Sequence, residues 1–117
     1  MFSPRALDRV KVIDKKIDFI QAIVYEYGSV SKALEDEQNA RTSIMMDPTS
    51  IVEQFDKLLH NGVEILAYFE KQDIKGSYDL RNFIAHDYEG VGLYIVEDVI
   101  TQRLPIIKKS VKNIFSY

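Results

Sequence analysis

None of the 117 residues is a cysteine, which excludes disulfide staples and thiolate metal centres alike. Proline and glycine are sparse, with three and five respectively. With no alternating strand pattern beside them, they point to an all-helical chain. No segment approaches the roughly 18 apolar residues of a membrane span. Met1-Phe2-Ser3-Pro4-Arg5 lacks the charged-then-apolar layout of a signal peptide, so a cytoplasmic protein with no membrane partner is expected. Basic charge is also short: 15 Lys and Arg against 18 Asp and Glu leave a net charge of -3, with a pI near 5.3. Free-standing, high-affinity nucleic-acid binders usually carry a basic footprint. Any phosphate contacts should therefore be few, local and salt-sensitive, or gathered at one place. What is present is ordinary: 46% hydrophobic and 28% charged residues predict a single domain over residues 1–117 with a proper core.

The apolar spacing predicts the helices. Ser3 can cap the first and Pro4 sits at a favoured first-turn position. Ala6, Val10, Ile13, Ile17, Ile20, Val24 and Tyr27 follow a 3-4 spacing that makes one continuous seam, and Gly28 ends it. Phe19 and Ile23 widen the stripe, which predicts packing against more than one neighbour. A short helical turn with Val30, Ala33 and Leu34 follows. A longer helix is predicted from about Asn39 to His60. Pro48 should kink or break it, with Asp47 or Thr49 as a new cap. Ile51, Phe55, Leu58 and Leu59 form its second stripe, and Asn61-Gly62 is a stop signal. Val63 to Lys71 reads as a helix with almost no polar face, either buried or shared with a second subunit. Asp73 to Gly76 reads as a turn, and Ser77 as the cap of a helix through about Ala85. Gly90 and Gly92 mark a loop. The last helix runs from near Leu93 to about Phe115, with Pro105 as a bend, and it carries the main basic cluster, Arg103, Lys108, Lys109 and Lys112.

The richest stretch chemically is Arg81-Asn82-Phe83-Ile84-Ala85-His86-Asp87-Tyr88, which holds one of only two histidines. Arginine binds phosphate with a fixed fork of donors and a permanent charge. Histidine is the side chain best matched to proton transfer near neutral pH. Together they are the minimum kit for breaking a phosphodiester bond without a metal. On a regular helix five residues correspond to about 500°, which leaves Arg81 and His86 roughly 140° apart. They converge if His86 sits in an unwinding last turn, or if two copies of the helix face each other in a dimer. Asn82, four residues before His86, shares its face and is placed to orient the imidazole or hold a phosphate oxygen. A purely structural account is also available: a histidine meeting the helix C-terminal dipole, and an arginine paired with Asp79 or Asp87.

Other chemistries find less. No phosphate-binding glycine loop and no H-E-x-x-H occurs. Glu35, Asp36 and Glu37 have no histidine at metal-ligand spacing and read as a solvated helix start. Ser29 and Ser31 look like caps, His60 like a helix-end residue, and Met45-Met46 like core or interface filler.

The segment R-N-F-I-A-H-D-Y matches the pattern R-x-x-x-x-H-x-Y, with the polar residue after the arginine. Its sequel E-G-V-G-L-Y-I-V-E-D-V-I-T-Q-R-L-P-I-I-K-K-S-V adds a glycine-valine turn and a late Leu104-Pro105. An acidic segment, Leu34-Glu35-Asp36-Glu37, precedes the second long helix. In these features the chain resembles the HepT-like toxins, a branch of the HEPN superfamily. It departs in the middle helix, where relatives often carry an Arg-Asn and then a Gly-Glu pair. Here the stretch reads Met46-Asp47-Pro48 and then Val52-Glu53, so only the glutamate survives.

The resemblance implies an all-α, four- to five-helix up-and-down bundle of HEPN type that pairs into a homodimer, with both motifs lining one cleft. It implies a metal-independent endoribonuclease toxin, without cofactor, in a type VII-like toxin–antitoxin pair acting on RNA. His86 would be the general acid or base and Arg81 would bind the scissile phosphate, with Asn82 in support. The partner would be a nucleotidyltransferase antitoxin that shuts the toxin off by transferring AMP to Tyr88. Two rival readings are a non-catalytic HEPN nucleotide-binding or adaptor subunit for such a transferase, and a dimeric scaffold using the Val63–Phe69 surface.

Overall fold

The computed structural model describes residues 2–86 and 93–116, and at residues 85, 86 and 93 the backbone alone. All regular structure among these residues is helical. Helix α1 (Pro4–Tyr27) begins as expected, with the Ser3 Oγ accepting from the Ala6 N–H at 3.1 Å. It ends on Gly28, whose φ of 88° lies in the left-handed region that favours glycine. Its seam is real: Ala6, Val10, Ile13, Ile17 and Ile20 are buried, and Val24 and Tyr27 pack partly buried at its end. Of the two residues expected to widen it, Ile23 packs on the core while Phe19 stays 46% exposed. Helix α2 (Val30–Glu35) is capped by Ser29, whose Oγ accepts from the Lys32 N–H.

Helix α3 (Ala40–Asn61) runs on through Pro48, so of the kink or break expected there the break does not occur. The proline costs the helix one hydrogen bond and about 3 kcal/mol. Buried residues on both sides of it, Ile44 and Met45 before and Ile51, Val52 and Phe55 after, hold the rod in one piece. Asp47 is therefore no cap; it pairs with Lys16 of α1 at 3.8 Å. Ala6 lies beside Gly62 while Lys16 meets Asp47, so α1 and α3 run antiparallel. Leu59, expected on the buried stripe, is 53% exposed. The methionine pair splits, with Met45 buried and Met46 exposed.

The predicted Val63–Lys71 helix is a single turn, α4 (Val63–Leu66), followed by a bend. The bend tucks Phe69 edge-on against Phe55, with centroids 5.2 Å apart, and sets Tyr68 against Phe2. Ile65 and Phe69 are buried, but Val63 and Tyr68 are largely exposed, so the apolar run is divided between core and surface.

Helix α5 (Lys71–His86) starts six residues before the expected Ser77 cap and absorbs the predicted turn at Asp73–Gly76. Both polar residues that read as turn chemistry are inside. Ser77 donates to the Asp73 backbone carbonyl at 3.0 Å, and the Asp73 carboxylate is buried facing Arg103 at 3.5 Å. Leu80 is buried and Phe83 and Ile84 pack on the core, as expected of the anchors of this helix.

The C-terminal rod is continuous but not uniform. Helix α6 (Leu93–Asp98) passes into a π-helical turn, Val99–Arg103, and then into α7 (Leu104–Phe115). The helix does not end at Pro105, as expected, and the π-helical turn lies just before it. Proline offers no N–H and crowds the carbonyl four residues back; the widened turn just before it, closed by the Leu104 N–H donating to Val99 O, relieves that conflict. Val96, Val99, Ile100, Leu104, Ile107, Val111 and Ile114 are buried. Lys108 fastens the rod to α1, donating to Asp14 and Asp18 at 2.6 Å each. The Gly90 and Gly92 loop expectation lies outside the described residues.

Candidate active site

The site is built on α5 where it crosses α3. Phe55 and Leu80 are buried in the same core, so the relative placement of the two helices is set by packing. Above that contact three polar side chains close a triangle. The Tyr78 hydroxyl donates to Asp56 Oδ1. Arg81 Nη1 approaches Asp56 Oδ2 at 3.5 Å. The Arg81 guanidinium carbon lies 5.0 Å from the centre of the Tyr78 ring, at cation–π distance. Tyr78 and Arg81 are three residues apart on one helix, which makes them neighbours on its surface.

Arg81 thus meets a carboxylate of another helix rather than the neighbouring Asp79. Asp79 belongs to Lys75, 2.7 Å away, and Asp87 lies outside the described residues. The Arg81 and Asp56 side chains are 36% and 46% exposed, so their ion pair adds no more than about 1 kcal/mol to stability. Burial, helped by the Asp56 carboxylate that the hydroxyl bonds, pushes the Tyr78 phenol up to about 12, with Arg81 opposing. The hydroxyl therefore stays a proton donor to Asp56 at any physiological pH.

Asn82 is exposed on α5. Helix α5 remains regular to His86, its last residue, so Asn82 and His86 stand four apart on one face, while Arg81 and His86 are about 140° apart around the axis. The His86 side chain and Tyr88 lie outside the described residues. The sequence reading missed Asp56 and Tyr78. Tyr78 carried a faint signal in its three-residue spacing from Arg81. Asp56 carried none, because only the crossing of α3 with α5 brings it there.

Half of the basic cluster expected on the last helix is spent. Arg103 faces Asp73, and Lys108 is shared by Asp14 and Asp18. Desolvation works against the charge on Lys108, but the two carboxylates outweigh it and raise its pKa. Lys109 and Lys112 remain exposed. Of the acidic triplet, Asp36 is structural. Its carboxylate accepts from the Tyr27 hydroxyl and the Asn39 N–H, joining the end of α1 to the start of α3, and the Tyr27 bond lowers its pKa. Among the described residues no helix is long and apolar enough to cross a membrane.

A family model described as ribonuclease HepT-like matches residues 11–114, a span that includes the whole Arg81–Tyr88 segment. No curated protein and no solved structure matches the chain.

Proposed function

Because the chain belongs to the HepT-like family of ribonucleases, we propose that it is a metal-independent endoribonuclease toxin whose centre is the Arg81–His86 segment of α5. The observation that carries this reading is the family match across residues 11–114, together with a regular α5 that presents Arg81 and Asn82 at the surface. RNA supplies its own nucleophile. The 2′-oxygen attacks the adjacent phosphorus as its proton passes to a base, the bond to the 5′-oxygen breaks, and that oxygen takes a proton from an acid. The products are a 2′,3′-cyclic phosphate and a 5′-hydroxyl.

In this reading His86 moves those protons, a role worth ~100- to 10,000-fold. Arg81 binds the scissile phosphate and stabilises the charge that builds on it. Asn82 orients the imidazole or adds a hydrogen bond. The roughly 140° between Arg81 and His86 on one regular helix favours a site shared by two copies, in which each motif supplies what the other faces away from. The partner would be a nucleotidyltransferase antitoxin. AMP placed on Tyr88, two residues past His86, brings a phosphate charge and a bulky base to the entrance for RNA.

The test is incubation of wild type and His86→Ala with total RNA and tRNA in chelator, mapping product ends, with intact mass confirming that Tyr88 is unmodified. Cyclic phosphate ends from wild type alone are expected, and His86→Ala should remain folded. Protein co-expressed with its transferase should gain the mass of AMP on the Tyr88 peptide. One observation favours the non-catalytic adaptor instead: Arg81, Arg103 and Lys108 all face carboxylates of their own chain. Unmodified wild type that leaves RNA intact would decide for it.

A further inference from the structure

We infer that Asp56 and Tyr78 form a clamp that positions Arg81, fixing which edge of its guanidinium is offered to a phosphate. This inference rests on the ribonuclease reading for its purpose, but the geometry behind it is independent of that reading. Arginine has five N–H donors in a rigid plane. Asp56 engages one end of the plane through Nη1, and the Tyr78 ring lies against the guanidinium. These two contacts limit both the direction and the tilt of the plane, while a third of the side chain stays open to solvent. Asp56 is itself tied to α5 by the Tyr78 hydroxyl on its other oxygen. It is therefore held as part of the α5 surface, although it belongs to α3.

An alternative role for Asp56 is that of a competitor, a carboxylate occupying the place of a phosphate until RNA displaces it. The Tyr78 bond argues against this, because it holds the carboxylate where it is whether or not Arg81 is engaged. Pre-setting the arginine matters because a misplacement of about 1 Å can cost 10²-fold in rate. Tyr78 and Asp56 touch neither the substrate nor the reacting atoms in this scheme, so they are positioning residues.

The experiment compares wild type with Asp56→Asn, Tyr78→Phe and Arg81→Lys in two measurements. The first is steady-state cleavage of an RNA oligonucleotide as a function of pH. For Asp56→Asn, kcat should fall about 10- to 100-fold, with KM little changed because Asp56 touches no part of the substrate. The limbs of the pH profile should stay where wild type has them. Tyr78→Phe keeps the ring and should lose less. The second is NMR of the Arg81 Nε–H, assigned through its loss in Arg81→Lys. The group should be ordered in wild type, mobile in Asp56→Asn, and shifted by inorganic phosphate in both. Unchanged or increased kcat in Asp56→Asn overturns the clamp, and so does an Arg81 Nε–H as mobile in wild type as in the variant. If wild type cleaves no RNA, the ribonuclease reading fails, and the order of the Arg81 Nε–H still decides the clamp.

Discussion

Gly62 and Gly76 carry the same side chain under opposite constraints, which makes them a sensitive pair of probes. Gly62 follows α3 in an extended conformation open to any residue, but a Cβ there would lie 2.8 Å from Leu58 Cδ2 and 3.2 Å from the Ala6 Cβ. Leu58, buried on α3 itself, and Ala6 of the approaching α1 together leave no room for a larger residue. Gly62→Ala should therefore cost about 1–3 kcal/mol through overpacking. Gly76 sits inside α5, and its nearest neighbour, Arg103 Cγ, would be 3.8 Å from an added Cβ, an ordinary contact. Gly76→Ala should stabilise by about 0.5–1 kcal/mol, because the unfolded chain loses freedom and the helix gains a better former. Urea denaturation of the two variants checks both signs. Stabilisation by Gly62→Ala would mean that Leu58 and Ala6 do not crowd Gly62 as described.

Helix α5 and the C-terminal rod are joined at their most unusual points, the buried Asp73 and the π-helical turn that ends on Arg103. Burial pushes the Asp73 carboxyl above its ordinary value, the nearby Glu70 charge adds to this, and Arg103 opposes it. A carboxyl whose folded pKa is raised favours the fold in its protonated form. Its contribution is fully present below the unfolded pKa and is lost as pH rises through the folded value. Removing Arg103 leaves a buried charge without compensation. Arg103→Gln should thus be about 1–3 kcal/mol less stable than wild type at pH 7, with the gap narrowing toward pH 4. Asp73→Asn should remove that pH dependence. Denaturation at a series of pH values reads both, and a gap of equal size at pH 4 and pH 7 would show that Asp73 does not titrate against Arg103. The same pair explains why local sequence misplaced the start of α5: Asp73, Gly76 and Ser77 have turn-like chemistry until a cation from a distant helix is set against them.

For the molecule as a whole, the acidic balance expected from composition is met by internal pairing more than by one concentrated basic face. Lys108, Arg103, Lys16 and Arg81 each face a carboxylate of another element. If the chain acts on RNA, its phosphate contacts should then be few, and the slope of binding against salt correspondingly shallow. A site shared between two copies makes a further prediction about stoichiometry. If both histidines of a pair are needed, wild type co-expressed with an equal amount of His86→Ala leaves about one dimer in four with two intact copies. Cleavage should fall with the square of the wild-type fraction. A linear fall would mean that one histidine suffices for each site.

The all-helical class, the ends and seam of α1, the continuation of the last helix through Pro105 and the helical placing of Arg81 to His86 were legible in the sequence. Each depends on local chemistry: an apolar period, a serine cap, a left-handed glycine, or a spacing along one helix. Four other features were not legible: the unbroken α3 through Pro48, the early start of α5, the division of the Val63–Phe69 run, and the placing of Asp56 beside Arg81. These depend on which helices lie against which. A core on both sides of a proline, a cation 30 residues away, or a carboxylate on a crossing helix can outweigh a local preference of one or a few kcal/mol, and only the packed chain brings them within reach.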